Sequence, residues 1–162
     1  MAVAKIKAPA KSGTKLIAQN RKARHNYEIE DTIEAGMVLV GTEVKSCREG
    51  RVNMSEAYAT IDGNGEAWLL QCHISPYSHG NVNNHEPVRP RKLLLRADEI
   101  ERLAIKVNQE GRTLVPLRMY FKHGLVKVEL ATGRGKKLYD KRQDQARRDA
   151  DRSMQRELGR RR

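Results

Sequence analysis

The sequence is poor in the residues from which catalytic, metal-binding and base-stacking sites are commonly built. Its two cysteines, Cys47 and Cys72, are too few and too far apart for a disulfide framework or a zinc ribbon. Both read as small buried hydrophobes in a reducing compartment. Aromatics amount to five Tyr, one Trp and one Phe, and the Arg/Lys-Gly-aromatic signature of an RRM sheet is missing, which excludes reading several bases in succession by stacking. No run approaches the roughly 20 apolar residues of a membrane span. Residues 2–10 never build the apolar stretch of a signal peptide. A cytoplasmic protein with no membrane partner is expected. No nucleophile motif, Gly-rich phosphate loop or clustered carboxylates accompany His25 or His123, so no catalytic residue is assigned and the chain does not read as an enzyme. His73, His79 and His85 are spaced by six through a Pro/Gly/Asn-rich stretch, which matches no compact ligand spacing. Loop hydrogen bonding accounts for them, and neither a metal nor another cofactor is expected.

Acidic residues are also missing from the first 26 positions, which hold seven Lys/Arg, and are outnumbered twelve to five over residues 133–162. The chain of 162 residues carries +12, so the 106 residues between these ends sit near neutrality at −2. A near-neutral body with a cationic segment at each end suits a polyanion gripped at more than one place, and nucleic acid is the leading partner. Charged residues make up 32% and mean hydropathy is −0.75, which implies one domain with a modest core. The expected organisation is a flexible basic arm over residues 1–14, a folded body over 15–132 and a basic tail over 133–162. The run GRGKKLYDKR at residues 133–142 marks the boundary.

Residues 15–24 suit a short helical or irregular lead-in. From Tyr27 the pattern becomes that of a half-buried strand, with Tyr27, Ile29 and Ile33 alternating with Glu28, Glu30 and Thr32. Residues 34–36 read as a bulge or bend, and residues 42–49, between Gly41 and Gly50, as a short helix. A hairpin follows: Ala57, Ala59 and Ile61 lead into the Asp-Gly-Asn-Gly turn at residues 62–65, and Trp68, Leu70, Cys72 and Ile74 alternate on the return. A second hairpin sets Val115, Leu117, Met119 and Phe121 on one face, turns at His123 and Gly124, and returns with Val126, Val128 and Leu130. Pro116 places the start of that strand at an edge or a bulge. Between the hairpins, Asp98 and Glu101 suggest a capping box. Ile100, Leu103, Ala104 and Val107 fall at helical spacing, and Gly111 stops the helix. Residues 75–91 form a long loop. Short hairpin-linked strands with one strong helix between them predict a mainly β fold: a small closed antiparallel barrel of the oligonucleotide-binding type, with about three flanking helices.

With so few aromatics, recognition of folded RNA by shape remains, through phosphate and 2′-hydroxyl contacts. The cluster Arg89, Arg91, Lys92 and Arg96 around three leucines suits it. Leu93, Leu94 and Leu95 cannot all face inward on a strand, so two are expected in the core and one outside. In the tail, Ala146, Ala150, Met154 and Leu158 recur every four residues among Arg147, Arg148, Arg152 and Arg156. So narrow an apolar stripe predicts a segment disordered in solution, either a solubilising tail or a helix that forms on a polyanionic surface.

Five blocks in order, NRKARHNY at residues 20–27, GTEVKS at 41–46, HISPY at 73–77, RKLLL at 91–95 and GKKLYDKR at 135–142, closely resemble the SmpB family, the bacterial tmRNA-binding (SsrA-binding) proteins. The resemblance spans residue 14 to the C-terminus. It implies a monomeric RNA-binding protein that binds the tRNA-like domain of tmRNA and delivers it to ribosomes stalled without a stop codon. There the tmRNA supplies the template for a degradation tag (trans-translation). By position it implies a tRNA-like-domain face of Tyr27, Glu34, Leu94 and Arg96, with Arg24, His25 and Lys127 beside it. Glu34 fits as an acceptor from a base edge or 2′-hydroxyl. Arg96 stands where relatives carry Asn or His and suggests a phosphate contact. The resemblance further implies a tail at the small-subunit decoding centre and mRNA channel, using Gly135, Lys136, Lys137, Tyr139, Asp140, Lys141 and Arg142 and then Arg147, Arg148, Arg152, Met154 and Arg156, helical on the ribosome. Tyr139 occupies a position that is His in some members; it can stack but carries no charge near neutral pH. A general RNA chaperone or ribosome-associated protein of the same fold, without a tmRNA role, is the alternative the residues leave open.

Overall fold

The computed structural model describes residues 13–80 and 84–160. The basic arm expected over residues 1–14 lies outside them except for its last two residues, as do the final two arginines of the tail. In chain order the elements are β1 (Thr14–Gln19), the single-turn helix α1 (Ala23–Asn26), β2 (Tyr27–Met37), α2 (Gly41–Arg48), β3 (Val52–Asn53), β4 (Tyr58–Ile61), β5 (Ala67–Leu70), β6 (His73–Ile74), β7 (Arg91–Leu94), α3 (Ala97–Asn108), β8 (Thr113–Lys122), β9 (Leu125–Gly135) and α4 (Leu138–Arg160). Together they make a mixed fold of one large antiparallel sheet with flanking helices. The sheet order is β1-β8-β4-β5-β7-β2-β9, β8 pairs additionally with β9, and β3 and β6 form a separate two-stranded ribbon. The segment read as a short helical or irregular lead-in is strand β1, laid along β8 from Lys122 to Arg118, followed by the start of the single-turn helix α1.

Three irregularities decide which side chains face the core, and only one lies where the sequence suggested. Residues 34–36 pair regularly with residues 127–129; the break in β2 falls between Ile29 and Asp31. It turns Tyr27 and Ile29 to a small outer cluster with Ala23, Val115, Leu117 and Ala131, and Ile33 to the main core. In β8 the register shifts between Pro116 and Arg118, where a proline without an N–H is tolerated. The shift divides the expected single face: Met119 joins the main core with Leu114, while Val115 and Leu117 join the outer cluster. The third irregularity is Gln71, with φ at 56°. It ends β5 and resets the alternation, so Ala67 and Leu69 are buried before it and Cys72 and Ile74 after it. Trp68 therefore lies on the face opposite Ala67 and Leu69 and is only half-buried, its Nε1 donating to Asp62 Oδ2 at 3.0 Å. The other oxygen of Asp62 accepts the N–H groups of Asn64 and Glu66 and closes the turn.

Helix α3 starts two residues earlier than expected. Arg96 is the N-cap, and Glu99, not Glu101, reaches back to accept the Arg96 N–H at 2.9 Å. Leu103 is buried beneath this helix, Val107 packs partly on the core, and Gly111 with φ at 66° ends the turn that follows. Of the three leucines after Lys92, Leu93 is buried, Leu95 packs partly against the core and Leu94 is 53% exposed.

The sheet also runs three residues further than the composition suggested. Gly133 is not a breaker but a buried position in β9, where an added Cβ would lie 3.0 Å from Cβ of Tyr27. The tail, read as disordered in solution, is described as the 23-residue helix α4, with none of its residues buried. Good helix formers and local pairs such as Gln143 to Tyr139 and Gln145 to Asp149 account for its helicity, since no core does.

Candidate nucleic-acid interface

The residues assigned to RNA divide into two groups at opposite ends of β2. Glu34 lies near the far end, in cross-strand register with Glu129 of β9. Two carboxylates facing each other repel, and each is held by its own donors. Arg118 binds Glu129. Tyr120 Oη donates to Glu34 Oε2, and Lys122 Nζ lies 3.3 Å from Glu34 Oε1. Partial burial raises the Glu34 pKa, but the hydrogen bonds from Tyr120 and Lys122 and the charges of Lys122 and Lys127 outweigh it. The carboxyl is held below its ordinary 4.5. Burial, with donation to Glu34, pushes the Tyr120 phenol up, so it stays a donor.

Gly36, two residues on, pairs with Leu94 of β7 on one side and Lys127 of β9 on the other. A Cβ at this glycine would lie 3.2 Å from Cβ of Leu94 and 3.5 Å from Nζ of Lys127. The absent side chain lets an exposed leucine and a lysine approach across the strand. Glu34, Leu94 and Lys127, chosen from sequence, therefore share a face with Tyr120 and Lys122. That face offers a fixed acceptor, two cations and one apolar contact, which suits an RNA fold with an unstacked base or sugar near its backbone.

Arg24, His25 and Tyr27 form the other group, around α1 and the start of β2. Seven residues of strand separate Tyr27 from Glu34, roughly 23 Å. Tyr27 is half-buried against Ala23, Val115, Leu117 and Ala131. Arg96 lines a recess together with Leu94, and its exposed side chain reaches toward Asp98 and Glu99 at the start of α3, which offset much of its charge.

The tail springs from this second group. The Lys136 N–H donates to the Asn26 carbonyl, while its Nζ donates to the Arg24 carbonyl at 3.0 Å and binds Asp144. The hydrogen bond from Lys136 holds the Asp144 carboxyl below its usual range. Beyond that strap, Lys137, Tyr139, Asp140 and Arg142 are exposed, as are Arg147, Arg148, Arg152, Met154 and Arg156. At about 100° per residue, Arg148, Arg152 and Arg156 fall roughly opposite Ala146, Ala150, Met154 and Leu158.

A family model described as SmpB protein matches residues 17–160. The chain belongs to the SmpB family. The SsrA-binding protein of Nocardia farcinica is 62% identical over 149 residues, 92% of either chain. That of Symbiobacterium thermophilum is 59% identical over 152 residues, 93% of this chain and 96% of the relative. A solved chain from a study of tmRNA–SmpB in the bacterial ribosome superimposes with a TM-score of 0.64 at 49% identity, covering 75% of this chain and 85% of the other.

In this SmpB chain one cation assigned to an RNA-facing cluster is structural. Arg91 is fully buried, donating through Nε to Glu43 at 2.8 Å, through Nη1 to the Cys72 carbonyl and through Nη2 to the Pro87 carbonyl at 3.0 Å. Glu43, itself fully buried, also binds Arg89. The GTEVKS and RKLLL blocks thus meet as an ion-pair network that pins the long loop to α2. His85 belongs to the same fastening: its Nδ1 lies 2.9 Å from the Thr42 hydroxyl and its Nε2 2.9 Å from the Ile74 carbonyl. Among the described residues no three His, Cys, Asp or Glu are grouped to hold a metal ion. Tyr120 and Lys122 were not singled out in advance. Their signal was strand alternation: both sit at even spacing from Arg118 on β8.

Proposed function

We propose that this chain binds tmRNA and serves ribosome rescue by trans-translation, acting as a non-catalytic RNA-binding adaptor. The observation that carries the reading is the convergence of Glu34, Leu94 and Lys127, from three separate strands, on one exposed face in a member of the SmpB family. That face takes the elbow of the tRNA-like domain. Glu34 accepts from a base edge or 2′-hydroxyl, Leu94 packs on an unstacked base or sugar, and Lys127 meets phosphate.

The sheet is read as a closed barrel of the oligonucleotide-binding type. The additional β8–β9 pairing, which closes β8-β4-β5-β7-β2-β9 on itself with β1 outside, supports this. On the ribosome the barrel stands in for the anticodon half that the tRNA-like domain lacks, near the small-subunit decoding centre. Helix α4, roughly 34 Å long, extends into the empty downstream mRNA path. Its arginines meet RNA phosphates there, and Tyr139 stacks near the root. Message in the path excludes the helix, so an absence of message becomes a binding site. In the free protein α4 buries nothing and opens readily; the channel supplies the contacts that hold it.

Competition in a gel shift tests the reading. The tRNA-like domain of tmRNA should displace itself from the full chain far better than an unrelated folded RNA of equal length does. Equal displacement would favour a general RNA chaperone.

A further inference from the structure

The long loop before β7 is fastened at its first turn by bonds that bury little apolar surface. Residues 77–80 form a turn closed by the Gly80 N–H on the Tyr77 carbonyl at 3.0 Å. Asn84 clamps that turn: its Oδ1 accepts the Tyr77 N–H at 2.9 Å, and its Nδ2 donates to the Tyr77 carbonyl at 2.7 Å. The clamp fits only because residue 80 is glycine, where an added Cβ would lie 2.7 Å from Asn84 Nδ2. Held at both ends of its amide, Asn84 has no room to give way. Ser46 of α2 ties the start of the loop to the helix, its hydroxyl donating to the Ser75 carbonyl at 2.7 Å. Yet Tyr77 is only half-buried, and Ser78 and His79 are exposed. The fastening presents side chains rather than building core.

What it presents is donors gathered around one ring. Lys45 Nζ of α2 stands 5.3 Å from the centroid of the Tyr77 ring. The His79 imidazole lies nearly perpendicular to that ring, at 78° with centroids 5.4 Å apart. Arg48 follows Lys45 by one turn on the exposed face of α2. Between Gly41 and Gly133, every lysine and arginine except Lys45, Arg48 and Lys127 is ion-paired among the described residues. Lys127 already belongs to the face proposed for RNA, and the other two carry charge equally free to meet phosphate. The ring restrains Lys45, so less freedom is lost when an anion binds. Position names the anion. Helix α2 follows the Glu34 end of β2, and Val38 between them donates its N–H to the carbonyl of Lys92, two residues before Leu94. Connectivity therefore keeps Lys45 within roughly 30 Å of Leu94. The tail leaves from the other end of β2, so the RNA within reach of Lys45 is the one seated at Glu34.

We infer that Lys45, Arg48 and His79 hold backbone phosphates of the tRNA-like domain at a second contact, with Tyr77 and its Asn84 clamp fixing where those donors stand. The inference rests on the tmRNA binding proposed above and extends it beyond the face around Glu34. The test titrates the full chain with the tRNA-like domain over a series of salt concentrations and maps the protected RNA backbone by hydroxyl-radical footprinting. Lys45→Gln combined with Arg48→Gln should weaken binding at low salt and flatten log K against log salt by about two. One protected tract should be lost while the tract covered by the Glu34 face persists. Asn84→Ala leaves net charge untouched and should weaken protection of that same tract; Lys45→Arg should keep it. A double variant with the slope and footprint of the wild type overturns the inference. So does protection lost evenly along the RNA, or an Asn84→Ala footprint identical to that of the wild type, since net charge alone would then be at work. A double variant that binds the tRNA-like domain normally but small ribosomal subunits weakly also overturns it, because the patch would then face the ribosome. If the wild type itself fails to bind the tRNA-like domain, the functional reading beneath falls as well.

Discussion

The sheet face around Glu34 and the helix α4, both proposed to meet RNA, are built in opposite ways. On the sheet each functional group is fixed before RNA arrives. Glu34 is held by Tyr120 and Lys122, and Leu94 and Lys127 are brought together across Gly36. On the helix nothing is fixed beyond the Lys136 strap; twenty-three residues carry their cations with no buried side chain. A preorganised face loses little entropy on binding and discriminates among partners, whereas an unsupported cationic helix supplies attraction wherever phosphates surround it. Specificity and reach are thus separated along one chain.

The largest effect that would sharpen this contrast is expected from Met154→Pro. It breaks α4 without altering net charge, at about 3 kcal/mol or more for a helix interior. Tagging of nascent chains on stalled ribosomes should be lost while affinity for the tRNA-like domain is unchanged. Normal tagging would mean the tail acts through charge alone. Next come the sheet-face variants. Glu34→Ala should weaken tRNA-like-domain binding by about 1–3 kcal/mol, and Leu94→Asp should also weaken it, with circular dichroism of the wild type retained in both. Unfolding of both variants would break the comparison, because the face would then be structural.

A smaller effect concerns pH. The folded pKa of Glu34 lies below its ordinary 4.5, so its contribution is fully present above that value and is lost as pH falls through the depressed one. The affinity advantage of wild type over Glu34→Gln should follow that course, and Tyr120→Phe should move the loss to higher pH by removing a donor. An advantage independent of pH would mean that the ionised carboxylate is not the group read. The smallest effect is expected from ending the chain after Lys137. Binding of the tRNA-like domain at moderate salt should be nearly intact, with a shallower dependence of log K on log salt if tail cations touch phosphate.

The sequence disclosed what local rules govern. The turn residues at 62–65, the apolar spacing of α3 and the two-in, one-out division of Leu93, Leu94 and Leu95 were all legible. It concealed what depends on register. A one-residue shift between Pro116 and Arg118, another between Ile29 and Asp31, and the reset at Gln71 each exchange the faces of a strand, and only the first is marked in the sequence, by its proline. At the proposed interface, residue-by-residue likeness to the family named Glu34, Leu94 and Lys127. It could not reveal that Arg91, adjacent in sequence to a half-buried lysine, ends in a buried ion pair with Glu43 from 48 residues away. The edge strand β1 was hidden for a related reason: its partner β8 lies about a hundred residues further along.

The Lys136 strap has a mechanical meaning. Joining the Arg24 carbonyl to the Asp144 side chain sets the angle at which α4 leaves the body. A helix of about 34 Å works as a lever arm: a swing of about 10° at its root displaces the far end by about 6 Å, the width of a helical turn. One lysine at the fulcrum therefore determines where Arg152 and Arg156 are carried.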